Sequence, residues 1–210
     1  MAIYRLSVPI SEGEVRALRA GDTVYLSGVI VTGRDAAHKY MAETFICAET
    51  IPASEQAFYS ELRRLLAGGV IYHCGPVVRR NAEGRWEFAA AGPTTSIREE
   101  PYETDIIAHF GLRGVLGKGG MGPRTLAACQ QYGAVYLHAV GGAATLIAET
   151  VREVLAVHKL EEFGVPEAFW VVRAQDLPTV VTMDSHGRSL HAEVEASSKA
   201  ALEELLAAPG

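Results

Sequence analysis

Between Gly92 and Gly122 the chain gathers residues able to grip a small anion. Gly92-Pro93-Thr94-Thr95-Ser96 is a tight turn of small residues whose hydroxyls and backbone N–H groups can converge on one negative charge, and Arg98 follows at once. Further on, Gly117-Lys118-Gly119-Gly120-Met121-Gly122 sets a single lysine among glycines that let the backbone come close to a ligand. A third candidate is Thr32-Gly33-Arg34-Asp35, where a β-forming run meets a helix start: unpaired N–H groups and Arg34 add positive character there. Arg34, Arg98 and Lys118 with the hydroxyls of Thr94, Thr95 and Ser96 suit the two carboxylates of one small substrate, because arginine forks and point-charge lysines are the usual carboxylate holders. Phosphate is the competing ligand, but Lys118 is followed by Gly119 where a phosphate loop needs Ser or Thr. The plainer readings stay open on residue types alone: glycine runs as turns, cations on a solvated face, Asp35 as an ordinary N-cap, His38 as a packed or surface histidine, and Gly141-Gly142 as a packing turn.

The same stretch lacks other parts of an active site. It carries no strong base, and the chain has no H-E-x-x-H or G-x-S-x-G motif. Cys47, Cys74 and Cys129 are scattered and not spaced for a cluster, which reads as reduced, buried thiols in a cytosolic protein. A pocket for carboxylates without metal or base resembles half of an active site, with the other half on another chain.

The rest of the chain must position these residues. Its 210 residues fit one domain, and 49% hydrophobic content suggests surface covered by a partner. The net charge of −6 (19 basic against 25 acidic residues) argues against a nucleic-acid footprint. No run of about 18 apolar residues exists to span a membrane, and the start lacks signal-peptide order. Ser11-Glu12-Gly13-Glu14 is a capping box for a short helix. Thr23–Val31 reads as a buried strand, Ala36–Met41 as a helix and Ser54–Leu66 as an amphipathic helix capped by Ser54. Val70–Cys74 reads as a strand, and the segments around Asn81–Arg85 as a hairpin that delivers Gly92–Ser96 to the end of a strand. Pro123–Tyr132 and Gly141–Thr150 read as helices, with strands at Ala134–Ala139 and Val151–Val157. Glu167–Ala174 and Thr179–Met183 read as strands separated by Asp176-Leu177-Pro178, and Ser189–Val194 as an edge strand. A helical tail, 195–210, completes an α/β chain of mixed sheets and flanking helices.

Several motifs together resemble the β subunit, or C-terminal domain, of the iron-sulfur (class I) fumarate hydratases, a group that includes L-tartrate dehydratase β subunits. They are Gly21-Asp22-Thr23-Val24-Tyr25-Leu26-Ser27-Gly28, Thr32-Gly33-Arg34-Asp35-Ala36-Ala37-His38, Gly92–Ser96 with Arg98, Gly117-Lys118-Gly119, and Tyr136-Leu137-His138-Ala139-Val140-Gly141-Gly142-Ala143-Ala144. The resemblance covers Asp22 to Leu190 and implies a swivelling β/β/α domain. It implies a 4Fe-4S cluster carried by a separate α subunit and not ligated here, whose open iron binds substrate as a Lewis acid. It further implies that Arg34, Arg98 and Lys118, with Thr95 beside them, hold the substrate carboxylates. Thr94 is then the candidate base, activated by an aspartate of the other half. The implied reaction is reversible hydration of fumarate to malate, with dehydration of L-tartrate as the alternative and a non-catalytic anion-binding module as the second. Where the family often has methionine after Arg98, this chain has Glu99 and Glu100. Ile71–Arg80 and the Gly117–Gly122 form lean towards the tartrate enzymes, and Gly141–Ala144 towards fumarase.

Overall fold

The computed structural model describes residues 1–207, and residues 208–210 of the expected tail lie outside the described residues. The chain is a mixed α/β structure. Strand β1 (Ile3–Val8) is followed by helix α1 (Glu12–Ala17), β2 (Thr23–Thr32), α2 (Asp35–Met41), α3 (Gln56–Leu66), β3 (Val70–Tyr72) and the hairpin β4 (Val77–Arg80) and β5 (Trp86–Ala90). Next come α4 (Glu100–Phe110), β6 (Gly114–Gly117), α5 (Pro123–Tyr132), β7 (Val135–His138), α6 (Ala144–Thr150), β8 (Val151–His158), α7 (Leu160–Phe163), β9 (Phe169–Met183) and α8 (Leu190–Ala207).

Seven strands form one sheet in the order β1-β2-β3-β6-β7-β9-β8, and a further pairing of β2 with β9 closes it on itself. The pairs β2–β3, β3–β6 and β6–β7 are parallel, so the C-terminal ends of four strands lie at one side of the sheet. Loops leaving that side carry the chemistry, as in other parallel sheets. Alternation along the strands splits the apolar residues between two faces. Val70, Tyr72, Leu116, Val135 and Leu137 join Trp170, Leu26 and Leu177 in one core cluster. Ile71, Val115 and Tyr136 join Phe58, Leu62, Ile106 and Phe110 in the cluster under the helices.

Local signals account for most elements. Ser11 Oγ accepts from Glu14 N and the Glu14 carboxylate accepts from Ser11 N, completing the capping box. Helix α3 buries Phe58, Leu62 and Leu66 at helical spacing, but it is preceded by a 3-10 turn at Ala53–Glu55 and Ser54 does not cap it.

Two strand assignments need correction. The expected strands on either side of Asp176-Leu177-Pro178 are one continuous β9. Pro178 is tolerated because β8 pairs with β9 only up to Ala174 and β7 only from Val180 onward. Between these, β9 has β2 alone as a partner, so the absent proline N–H interrupts no second ladder. Ser189–Val194 forms no edge strand; Ser189 makes an isolated bridge to Met183 and the chain turns into α8. No residue of α8 is buried, and Val194, Leu202, Leu205 and Leu206 are exposed. Among the described residues no helix is long and apolar enough to cross a membrane.

Candidate active site

The strand-end loops meet through backbone hydrogen bonds. Thr94 N donates to His73 O just past β3 (2.6 Å), Lys118 N donates to Thr94 O (3.2 Å) and Ser96 N donates to Lys118 O (3.0 Å). Cys74 bridges Pro93, and Thr95 bridges Lys118. The turn at Gly92–Ser96, delivered by the hairpin, is therefore stitched between the ends of β3 and β6. Gly117 shows how tight this is: a Cβ there would collide with Ser96 Oγ and crowd Tyr136 Oη.

Arg34 is the residue just before α2, and Asp35, for which an N-cap was one open reading, is the first residue of that helix. The Asp35 carboxylate faces Arg98 at 2.8 Å, which brings the Arg98 guanidinium to the start of α2. Arg34 Nη1 pairs with Glu167 at 3.2 Å, and Glu167 Oε2 also accepts from Ala36 N. The guanidinium lies over Gly75, where a Cβ would approach Nη1 to 2.6 Å. Arg34 Nε is buried without a hydrogen-bond partner among the described residues. The Lys118 side chain runs past Gly141 at the end of β7, its Cδ 3.7 Å from where a Cβ would stand, and it joins no ion pair among the described residues. Thr94 is half-buried and Thr95 exposed. Arg34, Thr94, Thr95, Arg98 and Lys118 thus arise from neighbouring loops at one side of the sheet. A groove of about 510 Å³ is lined by Gly119, His138, Thr182 and, on α8, His191. Another, of about 370 Å³ between the hairpin and β8, is lined by none of these residues.

The two glutamates after Arg98 face away from the turn in different ways. Glu100 caps α5: its carboxylate accepts from Gly122 N (2.8 Å), Arg124 N (3.0 Å), Thr125 N (3.2 Å) and Thr125 Oγ1 (2.6 Å). It therefore shapes the glycine loop after Lys118. Glu99 is buried, and neither of its oxygens has a hydrogen-bond partner among the described residues. Burial, reinforced by the charge of Asp35 and opposed by His38, pushes its carboxyl up to about 7. An acid with a raised native value favours the protonated form, so stability declines as pH rises from the ordinary 4.5 through about 7. Glu99→Gln is expected to raise the urea-unfolding stability by on the order of 2 kcal/mol at pH 8 and by much less at pH 5. Equal effects at both pH values would show that Glu99 does not titrate there.

Sequence reasoning missed a buried constellation beneath the turn. His38, His73 and Glu103 are fully buried, and their ligand-type atoms lie within 4.8 Å of one another. Glu103 Oε2 is 3.1 Å from Nε2 of both histidines. His73 Nδ1 lies 2.8 Å from Ser96 Oγ, which also accepts from Tyr136 Oη at 2.8 Å. Burial alone would raise Glu103, but hydrogen bonds and charge from the two histidines outweigh it and bring the carboxyl to about 2. Burial likewise opposes charge on both rings; it wins at His73, which is lowered, whereas the Glu103 contact wins at His38, which is raised. The signal was slight: three polar residues on separate elements, with no shared motif.

The cysteines do not supply a cluster. Cys74 and Cys129 are buried and Cys47, against expectation, is exposed. Burial pushes the Cys74 thiol up to about 12 and raises that of Cys129 as well. Among the described residues the cysteines join no group of three or more potential ligands, so these thiols do not fit an iron-sulfur group.

Against known families, residues 3–194 match the model described as Fumarase C-terminus. The chain belongs to this family. Among curated relatives, a Geobacillus stearothermophilus protein named "Putative fumarate hydratase class I" is 49% identical over 196 residues, 93% of this chain and 35% of that protein. The L(+)-tartrate dehydratase subunit beta of Escherichia coli (strain K12) is 39% identical over 189 residues, 90% of this chain and 86% of that subunit. A Methanocaldococcus jannaschii protein named "Putative L(+)-tartrate dehydratase subunit beta" is 36% identical over 198 residues, 94% and 95% of the two chains. This fumarase C-terminal chain thus spans about a third of the first relative and most of the other two.

Proposed function

We propose that this chain is the β subunit, or C-terminal part, of a cytoplasmic 4Fe-4S hydro-lyase that reversibly hydrates fumarate to malate. The cluster belongs to a partner α subunit. One observation carries the reading: in a chain of the fumarase C-terminal family, Arg34, Arg98 and Lys118 issue from neighbouring loops at one side of the sheet, and Arg34 keeps a buried Nε with no partner among the described residues. In this proposal the three cations hold the two carboxylates of the diacid, with the Thr95 hydroxyl beside them. Glu167 and Asp35 orient the two arginine forks and leave their other N–H groups for substrate. The Thr94 hydroxyl handles the proton at the carbon that loses it, and a carboxylate from the partner activates it, since a free hydroxyl is a weak base. When bound to the partner, the cluster supplies a Lewis acid for the substrate oxygen atoms.

Dehydration of L-tartrate is the second reading, favoured by relatives named as tartrate dehydratase β subunits that this chain covers over most of their length. Anaerobic co-expression with a cysteine-bearing α subunit, following fumarate absorbance and tartrate loss, separates the two. Turnover of neither diacid by a cluster-loaded complex would leave an anion-binding module. Arg98→Ala is expected to raise KM about 10- to 100-fold with kcat within about threefold, the loss of one charge-assisted contact made in both ground and transition states. An unchanged KM would remove Arg98 from the substrate.

A further inference from the structure

The buried chain of polar groups beneath the turn has no part in the proposal above, yet its two ends reach that site. One end is Ser96, inside the Thr94–Arg98 turn. The other is His38, whose Nδ1 lies 2.9 Å from the carbonyl of Arg34. Donor and acceptor chemistry fixes the protons between them. A carbonyl only accepts, so His38 Nδ1 carries a hydrogen. An ionised carboxylate only accepts, so His73 Nε2 presents its hydrogen to Glu103 Oε2. His38 Nε2 lies 3.1 Å from the same oxygen without the alignment of a hydrogen bond, and because a bare lone pair so close to a carboxylate oxygen is repelled, it too carries a hydrogen. His38 is then an imidazolium. His73 is neutral with its hydrogen on Nε2, so its Nδ1 accepts from Ser96, and the Ser96 oxygen in turn accepts from Tyr136. The direction runs Tyr136 to Ser96 to His73 to Glu103, met there by His38. One positive and one negative charge balance between His38 and Glu103, while the second carboxylate oxygen, Oε1, is buried with no hydrogen-bond partner among the described residues.

A buried ion pair is a costly way to fill a core, and apolar residues of similar volume are often at least as stabilising. Its location is therefore informative. We propose that the chain Tyr136–Ser96–His73–Glu103–His38 is a positioning device that holds the Thr94–Arg98 turn and the Arg34 end of α2 in one fixed relation. The five are positioning residues, not catalytic ones, and the proposal rests on the substrate-site reading above. A displacement of about 1 Å at such a turn is enough to cost on the order of 100-fold in rate. The groups facing the pair are Glu99 on the His38 side, and Asp35, Ser96, Tyr136 and Cys129 on the His73 and Glu103 side. Protonation of His73 would reverse the Ser96 hydrogen bond, so the arrangement has an acid limit.

The test joins two readouts on the full chain. In long-range ¹⁵N–¹H spectra of histidine-labelled protein at pH 7.5, His38 is expected to be protonated on both ring nitrogens and His73 on Nε2. Glu103→Gln is expected to turn His38 neutral and to shift the amide resonances of Thr94 to Arg98. With the α subunit present, Glu103→Gln is expected to lower kcat at least tenfold, with KM within threefold, and to move the acid limb of the kcat–pH profile. Tyr136→Phe, which removes only the first donor, is expected to lower kcat about threefold to fivefold in a folded protein. A neutral His38, a stoichiometric metal ion in the purified chain, or unchanged amides from Thr94 to Arg98 in Glu103→Gln would overturn the proposal. So would wild-type kcat and pH profile in both variants. A wild-type complex inactive on both diacids, with the histidine and amide pattern as expected, would instead overturn the reaction assignment.

Discussion

Thr94→Ala in the assembled complex is expected to lower kcat by about 10² to 10⁴, the usual range for a lost proton-transfer group, while KM for the diacid stays within about threefold. The backbone explains why the effect would fall on turnover. Thr94 is held through its own N–H to His73 O and its carbonyl to Lys118 N, so removing the side chain leaves the turn stitched in place. The arginines and the lysine keep their positions, and substrate binding persists. Steady-state kinetics with both fumarate and tartrate, repeated with substrate deuterated at the carbon losing its proton, make the measurement. A wild-type kcat would exclude the Thr94 hydroxyl from proton transfer.

Glu103→Ala is expected to cost about 3 to 5 kcal/mol of folding stability near neutral pH, because it leaves the buried His38 imidazolium without a counter-charge. The pH dependence follows from the two native values. Glu103 lies at about 2 against an ordinary 4.5, so its contribution is complete above 4.5 and is lost as pH falls towards 2. His38 lies above its ordinary 6.5, so its contribution is complete below 6.5 and is lost as pH rises through the raised native value. The pair therefore stabilises most between about pH 4.5 and 6.5, and the gap between wild type and variant should be widest there and close under acid. Urea denaturation of both proteins from pH 3 to 9 reads this directly. A gap independent of pH would mean that lost packing, not charge, sets the cost.

The sequence by itself determined the local elements, because each was written in contiguous residues. The Ser11–Glu14 box starts α1, Pro123 opens α5, Phe58, Leu62 and Leu66 line one face of α3, and the β-branched run after Asp22 makes β2. Family membership was legible for the same reason, since the motifs at Arg34, Thr94–Arg98 and Lys118 are short runs. Local signals failed where the answer lay across the sheet. Pro178 marks a break in sequence, but it falls where β9 exchanges one neighbour for another, so the strand passes through it. Glu99 and Glu100 are adjacent and identical in type; one is sealed in the core and the other caps a helix more than twenty residues ahead. His38, His73 and Glu103 come from a helix, a loop and another helix, and no spacing rule joins them. Only tertiary structure decides such partners, because burial removes water as the alternative hydrogen-bonding group and leaves each charge to whatever the fold sets beside it.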